Sequence, residues 1–154
     1  MAAYRALLAA LVAATGGCSV FKAPGIAVLD ATLIESTDEA IRFDVALDLT
    51  NPNNEALEIR EFSYSFTVAG SPSYTGRWAI GRTLAPGHRW QITLPAVVAI
   101  DAGAGEEPGW RIRGNVLYVS PGALAELLLD SEVREPRARF RGRGTVRLAG
   151  AAAP

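Results

Sequence analysis

One thiol, one imidazole and fourteen guanidiniums are the groups in this 154-residue chain with chemistry to offer. Cys18 is the single cysteine and His88 the single histidine. A lone cysteine makes no internal disulfide and no multi-thiolate zinc site. A lone histidine leaves out the two- and three-histidine metal centres. His88 stands in Ala85-Pro86-Gly87-His88, a turn sequence, and reads as a solvated loop residue. Glu106 and Glu107 are adjacent carboxylates inside AGAGEEPG (residues 102–109). That loop is too glycine-rich to hold them at the fixed separation of an acid–base pair. Asp44 and Asp48 share a strand face and read as solvated. No nucleophile motif surrounds any serine, and no glycine loop cradles a phosphate. The expectation is a non-enzyme without cofactor or metal.

Cys18 has another chemistry open to it. Residues 1–17 read MAAYRALLAALVAATGG. Arg5 precedes an uncharged run from Ala6 to Gly17, twelve residues long. A membrane-spanning helix needs roughly 20, so the run suits the apolar region of a secretory leader instead. With Gly16 and Gly17 directly before Cys18, the segment resembles the lipobox of bacterial lipoproteins, although Thr15 stands where the strongest lipoboxes carry leucine. The resemblance implies a diacylglycerol on the Cys18 sulfur, cleavage before it, and acylation of the new N-terminus. The alternative is a secreted chain with a spare thiol, a liability in an oxidising compartment. Ser19, by the same resemblance, points to the periplasmic side of the outer membrane. The expected organisation is a leader at 1–17, a tether at 18–25, one domain at 26–148 and a frayed tail at 149–154.

The charges are segregated although the net charge is only −1, which gives no reason to expect nucleic acid. Nine acids and two arginines lie between Asp30 and Glu61; six arginines and one acid lie from Arg134 onward. One expectation is that acids such as Asp44 and Asp48 pair with the late arginines across a sheet. The sharper one leaves Arg139, Arg141 and Arg143 unpaired, free to contact anionic lipid phosphates or an acidic glycan.

The elements that must carry these groups are strands. In IRFDVALDLT (41–50), Ile41, Phe43, Val45, Leu47 and Leu49 alternate with polar residues, the period of a strand with one wet face. RARFRGRGTVRL (137–148) repeats this with arginines outside. Ile26–Glu35 is a weakly patterned first strand. In Leu57–Ala69 the apolar phase changes from odd to even near Arg60–Glu61, which predicts a β-bulge. Tyr74–Leu84 and Arg89–Val98 are expected to form a hairpin, with Pro86-Gly87 at the centre of a type II turn. Trp110–Val119 is a further strand. Ser120-Pro121 starts a short helix over 121–129, with Leu124, Leu127 and Leu128 on one side. About seven strands and one short helix predict an all-β antiparallel sandwich, immunoglobulin- or fibronectin-III-like.

Strand 41–50 stops at Asn51-Pro52-Asn53-Asn54. Proline ends the ladder, and Asn53 or Asn54 is expected to bond its own backbone in the turn. The passage FDVALDLTNPNNEALEIREFSYSFTVAG resembles the WHy domain of type 2 late embryogenesis abundant proteins. The Pro-Gly element before WQITLP, the RIRGNVLYV strand and the glycine-bearing last strand agree with it over about 26–148. The resemblance implies the same sandwich, Asn51, Pro52 and Asn53 as a structural turn motif, and no catalytic residues. The expected function is a lipid-anchored interaction or stress-protective module of the cell envelope, with the bilayer and a second envelope protein, anionic lipid or acidic glycan as expected partners. The alternative is a carrier of an acyl chain in a groove lined by Trp78, Trp90, Trp110 and Tyr118.

Overall fold

A computed structural model describes residues 21–68, 71–99, 109–119 and 136–146. Cys18, the leader, the helix expected at 121–129 and the tail lie outside these residues. The described residues form seven strands: β1 (Gly25–Ser36), β2 (Ala40–Thr50), β3 (Leu57–Val68), β4 (Tyr74–Leu84), β5 (Arg89–Ala99), β6 (Gly109–Val119) and β7 (Arg137–Thr145). They form two antiparallel sheets, ordered β1-β2-β5 and β4-β3-β6-β7. This three-plus-four arrangement is that of a fibronectin-III-type sandwich.

Alternation builds the core. Phe43, Val45, Leu47 and Leu49 on β2 face Phe62, Tyr64, Phe66 and Val68 on β3, and all are buried. Fully burying each such side chain contributes roughly 1.5–3 kcal/mol. Phe43 and Phe66 meet across the sheets with ring centroids 5.3 Å apart. β3 stays in phase because its register slips between Ile59 and Glu61, where the sequence predicts a bulge. β1 carries two such slips, at Val28/Asp30 and Leu33/Glu35, which explains its weak pattern. The slips also leave Leu29 and Ile34 exposed. The edges of β1 and β7 come close: a Cβ at Gly142 would lie 2.6 Å from that of Val28, so a side chain there would push the two sheets apart.

The hairpin expected from Tyr74–Leu84 and Arg89–Val98 is not formed. The turn itself is as expected: His88 N–H donates to Ala85 O at 3.1 Å, and Gly87 has a φ of 66°, as the third position of a type II turn requires. But the turn crosses from one sheet to the other. β4 pairs with β3, and β5 pairs with β2 from Ala40↔Ala99 to Thr50↔Arg89. The Asn51 N–H donates to His88 O at 3.0 Å, which continues the β2–β5 ladder into the turn. Among the described strands β5 bonds only β2, so Pro95, which has no N–H, sits on an edge where proline is tolerated.

Candidate functional site

The outer face of β4-β3-β6-β7 is a field of arginine. Strand alternation puts Ala138 and Phe140 in the core and Arg139, Arg141 and Arg143 outside; β6 does the same with Ile112 between Arg111 and Arg113. All five arginines are exposed. Register then sets like against like, with Arg111 opposite Arg143 and Arg113 opposite Arg141. Arg139 faces Asn115, whose Oδ1 accepts from Arg137 Nη1 at 3.0 Å. Like charges directly opposite on neighbouring strands oppose folding.

Nothing among the described residues neutralises these five side chains. The pairing expected with Asp44 and Asp48 does not occur, because β2 and β7 belong to different sheets. Asp48 instead meets Arg89 across the β2–β5 ladder, Oδ2 to Nε at 3.3 Å. The two acids on β3 of the arginine-bearing sheet are taken by other arginines: Glu58 by Arg60 and Glu61 by Arg77, each at 2.9 Å. The Arg77 hydrogen bond, opposed by partial burial and helped by Ser63, keeps the Glu61 carboxyl below its ordinary range. The sandwich is therefore polarised. Its other outer face carries Asp30, Glu35, Asp44 and Asp48 against Arg42 and Arg89.

Two shallow grooves score the arginine face. One, of about 820 Å³, runs between Thr67, Ser73, Arg111, Arg113, Arg143 and Thr145. Thr67 Oγ1 and Ser73 Oγ lie 2.8 Å apart at its rim. The other, of about 360 Å³, lies beside Arg113, Arg139, Phe140 and Arg141. Sequence reasoning named Arg139, Arg141 and Arg143 but missed Arg111 and Arg113. The signal was available: RIR repeats the alternation of RARFR one strand earlier.

The Asn-Pro-Asn motif is structural, and its centre is Asn51 rather than Asn53 or Asn54. Asn51 is the buried polar residue among those described, with no exposed surface. Its Nδ2 donates to the carbonyls of Glu55 at 2.8 Å, Leu84 at 3.1 Å and Ala85 at 3.3 Å. Its Oδ1 accepts from the N–H and Nδ2 of Asn53, each at 3.0 Å. One side chain thus ties the β2–β3 turn to the inter-sheet turn. Asn53 reaches elsewhere: its amide exchanges two hydrogen bonds of 2.8 Å with the Lys22 backbone. With Phe21 packed on the core, the expected tether is docked from residue 21 onward.

The four aromatics considered for a carrier groove go to separate partners. Trp78 packs on Phe62, Trp110 stacks on Phe66, and Arg82 lies 4.8 Å over the Trp90 ring. Tyr118 is buried in the core. Among the described residues, no group of His, Cys, Asp and Glu is placed to hold a metal ion, and no helix is long and apolar enough to cross a membrane.

Tyr64 supplies a pH-dependent contact between the sheets. Its hydroxyl donates to the Pro95 carbonyl on β5. Burial, reinforced by Tyr74, pushes its pKa well above the usual tyrosine value. A raised folded-state pKa gives stability that is complete below the unfolded value of about 10 and fades as pH climbs past it. Absorbance titration of the chain's four tyrosines should therefore show one that ionises only as the fold is lost. Tyr64→Phe should remove that step and flatten the alkaline limb of the stability curve. An unchanged titration would contradict the assignment.

No family model matches the chain, and no curated protein matches it. Solved structures do. The protein AT1g01470 of Arabidopsis thaliana is 17% identical, with a TM-score of 0.62 over 84% of each chain. A candidate late embryogenesis abundant protein, At2g46140.1, is 13% identical, with a TM-score of 0.56 over 97% of this chain and 80% of its own. A candidate ApaA protein of Bordetella pertussis is also 13% identical, with a TM-score of 0.54 over 82% and 94%. At these identities the likeness is one of fold: the chain shares the all-β sandwich of a group of structures that includes a candidate late embryogenesis abundant protein.

Proposed function

We propose that this protein is a non-enzymatic interaction module, held at an envelope bilayer through lipid on Cys18, that lays its four-stranded sheet against an anionic membrane surface. The observation that carries this reading is the set of five exposed arginines, Arg111, Arg113, Arg139, Arg141 and Arg143, with no hydrogen bond or ion pair among the described residues. Each guanidinium near an anionic leaflet contributes about 1 kcal/mol. The tether favours the same geometry. Three residues from Cys18 to Phe21 span at most about 10 Å, so a lipid on Cys18 keeps the sandwich at the surface. The docked tether reaches the body at the Asn51 end, while the arginine pairs lie toward the far end of β6 and β7. Both touch one bilayer when the sheet lies along it.

The fold likeness to a candidate late embryogenesis abundant protein supports extending the proposal to water stress. As headgroups lose water, guanidinium donors replace the missing hydrogen bonds to phosphate. Mass spectrometry of the membrane fraction should find an acylated N-terminal peptide beginning at Cys18. Full-length, unmodified chain in the soluble fraction would contradict the anchoring. Vesicle co-sedimentation tests the surface: the expected result is binding to anionic vesicles that salt reverses, and binding no stronger than to neutral vesicles would refute it.

A further inference from the structure

The arginine face has more structure than a diffuse charge. A row of guanidiniums meant only to be soluble or generally basic gains nothing from placing them in opposed pairs, since the register Arg111↔Arg143 sets two cations side by side on adjacent strands. Opposed side chains on an antiparallel pair have Cβ atoms about 5 Å apart. Two forks at that spacing can grip one anion from both sides. The Arg111–Arg143 pair also lines the larger groove, with Arg113 beyond it and the Thr67 and Ser73 hydroxyls on the β3 side. The groove therefore offers two bidentate donors, a third cation and two hydroxyls.

The chemistry of the donors selects the anion. A guanidinium binds an O–P–O edge with two parallel hydrogen bonds. A phosphodiester has two free oxygens and so one such edge. A phosphomonoester has three free oxygens, which give two guanidiniums an edge each, and near pH 8 it is a dianion whose charge matches the pair. We infer that the Arg111–Arg143 pair, flanked by Thr67 and Ser73, is a binding site for the terminal phosphomonoester of a membrane lipid. This rests on the anionic-surface reading above and narrows it to one headgroup chemistry.

The experiment uses the full chain carrying Cys18→Ser, so that acylation does not drive attachment. Binding is measured near pH 8 to vesicles of phosphatidic acid in neutral lipid, to phosphatidylglycerol vesicles of matched surface charge, and to neutral vesicles that set the background of the leader. The expected result is about tenfold tighter binding to the monoester surface than to the diester surface, one bidentate pair's worth of discrimination. Arg111→Gln should bring that ratio near one. Arg139→Gln removes the same charge from a residue outside the pair, so it should weaken both surfaces equally and keep the ratio. Thermal unfolding of Arg111→Gln without vesicles should occur at or above the parent midpoint, because a like-charge pair is relieved, which separates lost binding from lost folding. Equal, salt-sensitive binding to both anionic surfaces would overturn the monoester site while leaving the anionic-surface reading intact. Binding to neither above background would overturn both.

Discussion

Asn51→Asp should destabilise the protein by about 3–5 kcal/mol, the largest loss expected from any single polar substitution in the described sandwich. The exchange is almost isosteric, so packing is not the cause. The Asn51 Nδ2 stands among three carbonyl oxygens, those of Glu55, Leu84 and Ala85, in a site with no exposed surface. Aspartate puts an oxygen there, orphaning the carbonyls and adding a buried charge without a cation. Asn51→Ala removes the donor without the charge and should cost less, about 2–3 kcal/mol. Asn53→Ala gives up mainly exposed hydrogen bonds to Lys22 and should cost about 1 kcal/mol or less. Urea unfolding of the three variants checks the order. If Asn51→Asp proved as stable as the parent protein, the turn would not be the clasp between the sheets.

The second large effect concerns the face rather than the fold. Arg139→Gln, Arg141→Gln and Arg143→Gln together remove three exposed cations from β7, each worth about 1 kcal/mol at an anionic leaflet. The combined variant should bind anionic vesicles about 100-fold more weakly at low salt. The difference should shrink toward 1 M salt, where the Debye length falls to about 3 Å. Stability should hold or improve, because Arg141 and Arg143 each face another arginine and none of the three has a partner among the described residues to lose. Unchanged binding at low salt would remove these arginines from the interaction.

The sandwich was legible wherever a side chain reports its own surroundings. Period two in IRFDVALDLT gave β2 and its buried face, and the phase change at Arg60–Glu61 gave the bulge, because each is a local response to one dry face and one wet one. What failed was long-range. Ala85-Pro86-Gly87-His88 specifies a turn, but a turn does not say which sheet receives the next strand. That is decided by β5 matching its apolar positions Ile92, Leu94, Ala96 and Val98 to β2 along eleven paired positions. The same gap explains the charge pairing. Composition shows acids early and arginines late, and only topology reveals that β2 and β7 lie in different sheets. Asn51 was hidden for a related reason. Its role depends on Leu84 and Ala85, more than thirty residues away. The arginine face was half legible: alternation placed each side chain outward, but only register shows which cations stand opposed.

Arginine footprinting on vesicles tests the central claim most directly, because the native chain carries reporters on both faces. The membrane-bound protein is treated with a water-soluble glyoxal reagent, and modification at each arginine is read by mass spectrometry with and without anionic vesicles. The account predicts that Arg111, Arg113, Arg139, Arg141 and Arg143 become protected while Arg42 and Arg89, on the opposite sheet, stay reactive. Equal modification of both sets on the membrane, or protection of Arg42 and Arg89 instead, would contradict it.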